Sequence, residues 1–150
     1  MNYWLIKSEP TSYSIDDLAR DKQTFWNGVR NYQARNFIRE MKKGDKVLFY
    51  HSGANPPAVV GFAQVSRDAY PDSTALDPKH HYYDPKATSD NPIWMMVDVK
   101  FISKCKTPLS ISVIKHTPAL KGMMVTQPGS RLSVQPVSEK HFAVIEKLSR

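Results

Sequence analysis

Cysteine is almost missing from this chain: Cys105 stands alone, so no internal disulfide can form. That suits a reducing compartment inside the cell, cytoplasmic, or nuclear in a eukaryote. No apolar run approaches the ~20 residues that cross a bilayer. The start, MNYWLIKSEP, has neither the basic n-region nor the long apolar h-region of a secretory signal. The phosphate-cradling GxxxxGK[ST] is absent, as are HExxH, GxSxG and paired CxxC. The sequence therefore points to no cofactor and to no catalytic residue.

What is there suits one domain, with 150 residues and an apolar fraction of 41%, too high for disorder. Net charge is +7, and it is unevenly placed. Residues 20–46 and 100–150 are basic, while 47–99 is acidic. Two basic blocks on one face would make a field suited to a polyanion; a basic solvated surface is the plain alternative.

Tyr3–Lys7 reads as a strand closed by Pro10. Ser14 with Asp17 three residues on reads as a capped helix start. Ala34, Phe37, Ile38 and Met41 form one apolar stripe at helical spacing, with Arg35, Arg39, Lys42 and Lys43 off it and Gly44 as its expected stop. Strands are expected at 47–50, 58–67 and 94–102, and Gly61 marks a bulge or a close backbone approach. A short helix follows Pro108, a last strand lies near 131–135, and Ser138 caps a C-terminal helix facing inward through Val144, Ile145 and Leu148. The segment 70–92 carries four prolines and the run His80-His81-Tyr82-Tyr83-Asp84; loops of this length are often functional. It is expected to fold against the domain and border a site. The fold class is mixed α/β around a compact, curved sheet.

His80, His81 and Asp84 could hold a metal, although their spacing is equally that of surface or packing residues. His51, His116 and His141 are scattered. The stretch FWNGVRNYQARNFIREMKK, residues 25–43, is more pointed. Trp26 precedes the turn-forming pair Asn27-Gly28, and Arg30, Asn31 and Arg35 follow at a helix start, where free N–H groups favour anions. A flat apolar ring beside guanidinium and amide groups meets the needs of a nucleobase and its phosphates. Packing onto the sheet is the alternative for Trp26 and for Tyr32.

YWLIKSEP at 3–10, WNGVRNYQARN at 26–36, VLFYHS at 47–52, YYDPK at 82–86 and SRLSVQPV at 130–137 together resemble the EVE domain, a relative of PUA and YTH domains. The resemblance covers residues 2–148. Asn27 departs from it, standing where an aspartate is expected. The resemblance implies a PUA-like, barrel-like β-sheet decorated by helices in a single domain spanning 1–150, with a pocket for a modified base of DNA or RNA. By motif, that pocket would draw on Lys7 and Ser8, then on Trp26, Asn27, Arg30 and Tyr32, with Arg35 beside them. Tyr50, His51 and Ser52 would come from a strand end, and Arg131 and Ser133 from the late motif, with Leu132 as a wall. Trp26 would be the stacking surface, and Arg30 and Arg35 the phosphate contacts. The reading is a nucleic-acid-binding module without cofactor, metal or membrane. Its rivals are an enzyme acting on a modified base through Lys7 and Glu9, and a protein–protein adaptor.

Overall fold

The computed structural model describes residues 1–150. Six strands form one mixed sheet: β1 (Tyr3–Ser8), β2 (Gln23–Trp26), β3 (Lys46–His51), β4 (Ala58–Pro71), β5 (Met95–Ser110) and β6 (Val134–Val137). They lie in the order β2-β5-β4-β3-β1-β6. β1 runs parallel to β3 and antiparallel to β6, and every other pairing is antiparallel. The helices are α1 (Ile15–Asp21), α2 (Tyr32–Glu40), α3 (Ile111–Lys115) and α4 (Glu139–Leu148).

Alternation along the strands separates two cores. Trp4, Ile6, Val47, Phe49 and Val99 bury one sheet face against Ala34, Ile38 and Met41. Leu5, Leu48, Tyr50 and Val59 bury the other against α3 and α4 through Ile114, Phe142 and Ile145. The period of two in each strand makes this division inevitable once both faces are covered. The sheet is strongly curled. β2 is three strands removed from β3, a separation of roughly 14 Å in a flat sheet, yet the ring centroids of Trp26 and Phe49 are 5.7 Å apart. Four register shifts in the β4–β5 pairing permit this bend. At Gly61, beside one of them, an added Cβ would lie 2.9 Å from the Ser103 backbone oxygen and 2.5 Å from Ile15 Cδ1, so the position favours glycine.

Several expectations need amendment. β2 was not expected, and Trp26 is its last residue rather than part of a loop. α2 stops at Glu40, and Lys42 and Lys43 lie beyond it, because the buried Asp45 carboxylate accepts from Lys42 N–H (3.0 Å), Trp4 Nε1 (2.9 Å) and Asn2 N–H (3.0 Å). Leu148 is exposed rather than inward-facing.

Candidate functional site

Where β1 leaves the sheet, its end faces the edge strand β2 across a cleft of about 480 Å³. Lys7, Ser8 and Ser133 line one side, and Trp26, Asn27 and Arg30 the other. Trp26 is half-buried, held edge-on by Tyr13 at 6.2 Å and Phe49 at 5.7 Å. These T-shaped contacts fix the indole plane. The Asn27 amide, in the same wall, can both donate and accept hydrogen bonds. Lys7 Nζ donates to Ser130 O at 3.3 Å, and burial pushes its ammonium below its ordinary pKa. A cation desolvated in this way is favoured by any anion that reaches it.

The segment after β4 closes the cleft. A turn of 3₁₀ helix at Ser73–Leu76 leads to Tyr82, whose ring lies so close that a Cβ on Gly28 would be 2.4 Å from Cζ. Gly28 also has φ +81°, so only glycine suits this position. Ala75, Ala87 and Trp94 make a small core of their own. Asp72, fully buried, anchors the segment by accepting from Gly28 N–H at 2.8 Å and Arg30 Nη1 at 3.0 Å. Burial alone would raise its carboxyl, but the bonds from Thr74, Gly28 and Arg30 outweigh that and hold it below the ordinary range. The segment thus borders the cleft, as expected.

Arg30 does not serve as a free phosphate contact. Its guanidinium donates to Tyr82 O, Val29 O, Asp72 and Thr74, and five such bonds engage Nε and both Nη atoms. Its planar group lies 5.4 Å from the Tyr82 ring and 5.3 Å from the Trp94 ring.

The remaining sequence-derived residues fall outside the cleft walls. Tyr32 stacks on Trp94, and Arg35 lies beside it with Nη1 donating to Ile93 O at 3.1 Å. Tyr50 is buried in the second core, its hydroxyl pKa raised by burial. His51 Nε2 accepts from Ile15 N–H at 3.1 Å at the start of α1, and burial lowers its pKa, favouring the neutral ring that can accept. Ser52 N–H donates to Ser8 O at 3.0 Å, fixing the end of β1. Arg131 is exposed in the loop that supplies Ser133, and Leu132 packs on the first core. Sequence reasoning missed Tyr13, Ser12 and Phe25 in the walls, since nothing in their local pattern separates them from ordinary packing or surface residues. Tyr82 was detectable through the YYDPK motif and the aromatic run of the segment 70–92.

The metal alternative finds no support in the geometry. Asp84 accepts from Trp94 Nε1 at 2.7 Å and Lys86 N–H at 3.0 Å, and no group of three ligand side chains is assembled. No helix is long and apolar enough to cross a membrane. A second cleft of about 410 Å³, between α4 and the opposite sheet face, is lined by Phe62, Phe142 and lysines but by none of the motif residues.

Residues 2–148 match the family model of the EVE domain. The chain belongs to the EVE-domain family. Among curated relatives, chicken thymocyte nuclear protein 1 is 42% identical over 165 residues, covering 97% of this chain and 68% of that protein. Among solved structures, a protein from Pseudomonas putida is 48% identical with TM-score 0.94, covering 99% of each chain. Human thymocyte nuclear protein 1, solved in complex with DNA containing 5-methylcytosine, is 37% identical with TM-score 0.91 over 100% of this chain and 98% of that one. A YTH domain from Zygosaccharomyces rouxii, 14% identical with TM-score 0.56, shares the fold only, over 99% of this EVE domain and 86% of the YTH chain. The fold is PUA-like.

Proposed function

We propose that this EVE domain binds nucleic acid by taking one modified nucleobase, 5-methylcytosine or a base of similar size, into the cleft beside Trp26. The observation that carries the reading is the half-buried indole held edge-on at the rim of a roughly 480 Å³ cleft with amide and hydroxyl groups in its walls. That volume falls in the range of about 300–1,000 Å³ for small-ligand sites. The DNA in the human relative's structure supports the choice of ligand. Trp26 supplies a stacking face, Asn27, Ser8 and Ser133 supply donors and acceptors for the base edge, and Lys7 attracts the adjoining phosphate. A base in a duplex must first be flipped out at a few kcal/mol, so a single strand binds more readily.

The test is affinity for short single strands carrying one 5-methylcytosine or one cytosine. Trp26→Ala should reduce affinity for the methylated strand by ~1–3 kcal/mol, a factor of roughly 5–150, and Trp26→Phe should retain part of it. Because the indole also packs on the first core, Trp26→Ala should cost stability as well, below the ~3–5 kcal/mol of a fully buried Trp. Undiminished binding by a folded Trp26→Ala protein would overturn the stacking assignment. Lys7 and Glu9 line the same cleft, the pair that an enzyme on a modified base would use. The expected mass of the recovered nucleoside after incubation is unchanged, and turnover would replace the binding reading by a catalytic one.

A further inference from the structure

Tyr32 is the first residue of α2 and follows Asn31, which lines the base cleft and caps the helix by accepting from Ala34 N–H at 3.0 Å. Its side chain does not enter the cleft. It remains 55% exposed, an unusual state for a large aromatic that is nonetheless held in place. The ring stacks on Trp94 with centroids 4.8 Å apart and planes inclined by 30°. Trp94 cannot yield, since it is buried and its Nε1 donates to Asp84 at 2.7 Å. Arg35, one helical turn on, brings its guanidinium to 5.0 Å from the Tyr32 ring and is itself tethered to Ile93 O and Asn36 Oδ1. The flat groups form a series from the cleft outward, Tyr82 in the wall, then Arg30, Trp94 and Tyr32, with Arg35 beside the last two rings, 5.0 Å from Tyr32 and 6.0 Å from Trp94.

We infer that Tyr32, steadied by Trp94 and Arg35, is a second stacking platform for a base flanking the one in the cleft. The inference rests on the proposed base-binding function and extends it from a single nucleotide to a short stretch of strand. An aromatic face fixed by its neighbours loses little freedom when a base is laid on it, and every base has a face to offer. The platform therefore adds affinity without selecting sequence. Selection of the modification stays with the cleft. A strand bound at both positions is held by two faces, so a mononucleotide uses only part of the site.

Three probes separate the two positions: 5-methyl-dCMP, a trinucleotide with central 5-methylcytosine and abasic flanks, and the same trinucleotide with adenine flanks. The parent protein should bind the adenine-flanked trinucleotide roughly 5–150-fold tighter than the abasic one. Tyr32→Ala should abolish that difference while leaving affinity for 5-methyl-dCMP within about twofold. Tyr32→Phe should preserve it, and Tyr32→Lys, which adds charge but no ring, should not restore it. Melting temperatures of the variants report whether the helix start is intact. Equal parental affinity for the two trinucleotides, or a full flanking effect in folded Tyr32→Ala, would overturn the platform while leaving the cleft assignment standing. Failure of the parent to bind any of the three would overturn both.

Discussion

If the proposed function holds, Lys7 is the residue at which stability and binding are set against each other. Its ammonium is partly desolvated at the end of β1, without a carboxylate partner, and its pKa lies below the ordinary value because of burial. The folded state disfavours the charged form, so the contribution of this group to stability improves as pH rises through its lowered pKa toward ~10.4. A methionine keeps the stem and removes the charge. Lys7→Met should therefore melt at or above the parent temperature and bind anionic oligonucleotides more weakly, the trade expected of a functional residue. Parent affinity should also decline at alkaline pH before an ordinary lysine would lose its proton. A lower melting temperature with unchanged affinity would assign Lys7 to structure instead. Trp26 serves both ends, since its edge contacts anchor it while its location at the rim leaves it half-exposed.

Among the elements, the stretch from Asp72 to Trp94 depends most on a single carboxylate. The Asp72 pKa is depressed in the fold, so its stabilising contribution is present above the unfolded value of ~3.9 and is lost as pH falls through the folded one. Amide protection across residues 73–91, measured against the intrinsic rate at each pH, should fall below about pH 4 ahead of that of the sheet. Asp72→Asn should loosen the segment already at neutral pH, at about 3 kcal/mol for a broken buried pair. Uniform exchange across sheet and segment would mean that the segment has no independent opening. The elements differ in how far the sequence disclosed them. The capped starts of α1 and α4 and the apolar stripe of α2 follow from local chemistry and were legible. β2 was not, because its four residues carry no apolar run and its pairing with β5 is entirely long-range. The end of α2 depends on Asp45, whose hydrogen-bond partners Asn2 and Trp4 lie far back in the chain. The cleft was legible by motif for Lys7, Ser8, Trp26, Asn27 and Ser133. The engagement of Arg30 was not, since nothing in WNGVRN announces a buried aspartate at position 72.

Across the whole molecule, the charge of +7 promises more electrostatic binding than the cleft can deliver. Arg30 is internally paired and Arg35 is tethered, which leaves Lys7 in the cleft wall and Arg131, exposed two residues before Ser133, as the cations proposed to meet phosphates. Two contacts on a single strand predict log K against log salt with slope roughly −1.4, where four would give about −3. A slope near −3 would locate phosphate contacts on cations away from this rim. The pairing of β1 with β6 has a consequence in time. Residues 3–6 find their antiparallel partners at 134–137, and Ser133 completes the cleft wall. On a ribosome adding ~5–20 residues per second, the first strand waits for several seconds with one edge open before its last neighbour emerges. The proposed base-binding cleft is among the last features of this domain to form in a new chain, and it cannot take up a base until residues 133–137 have emerged.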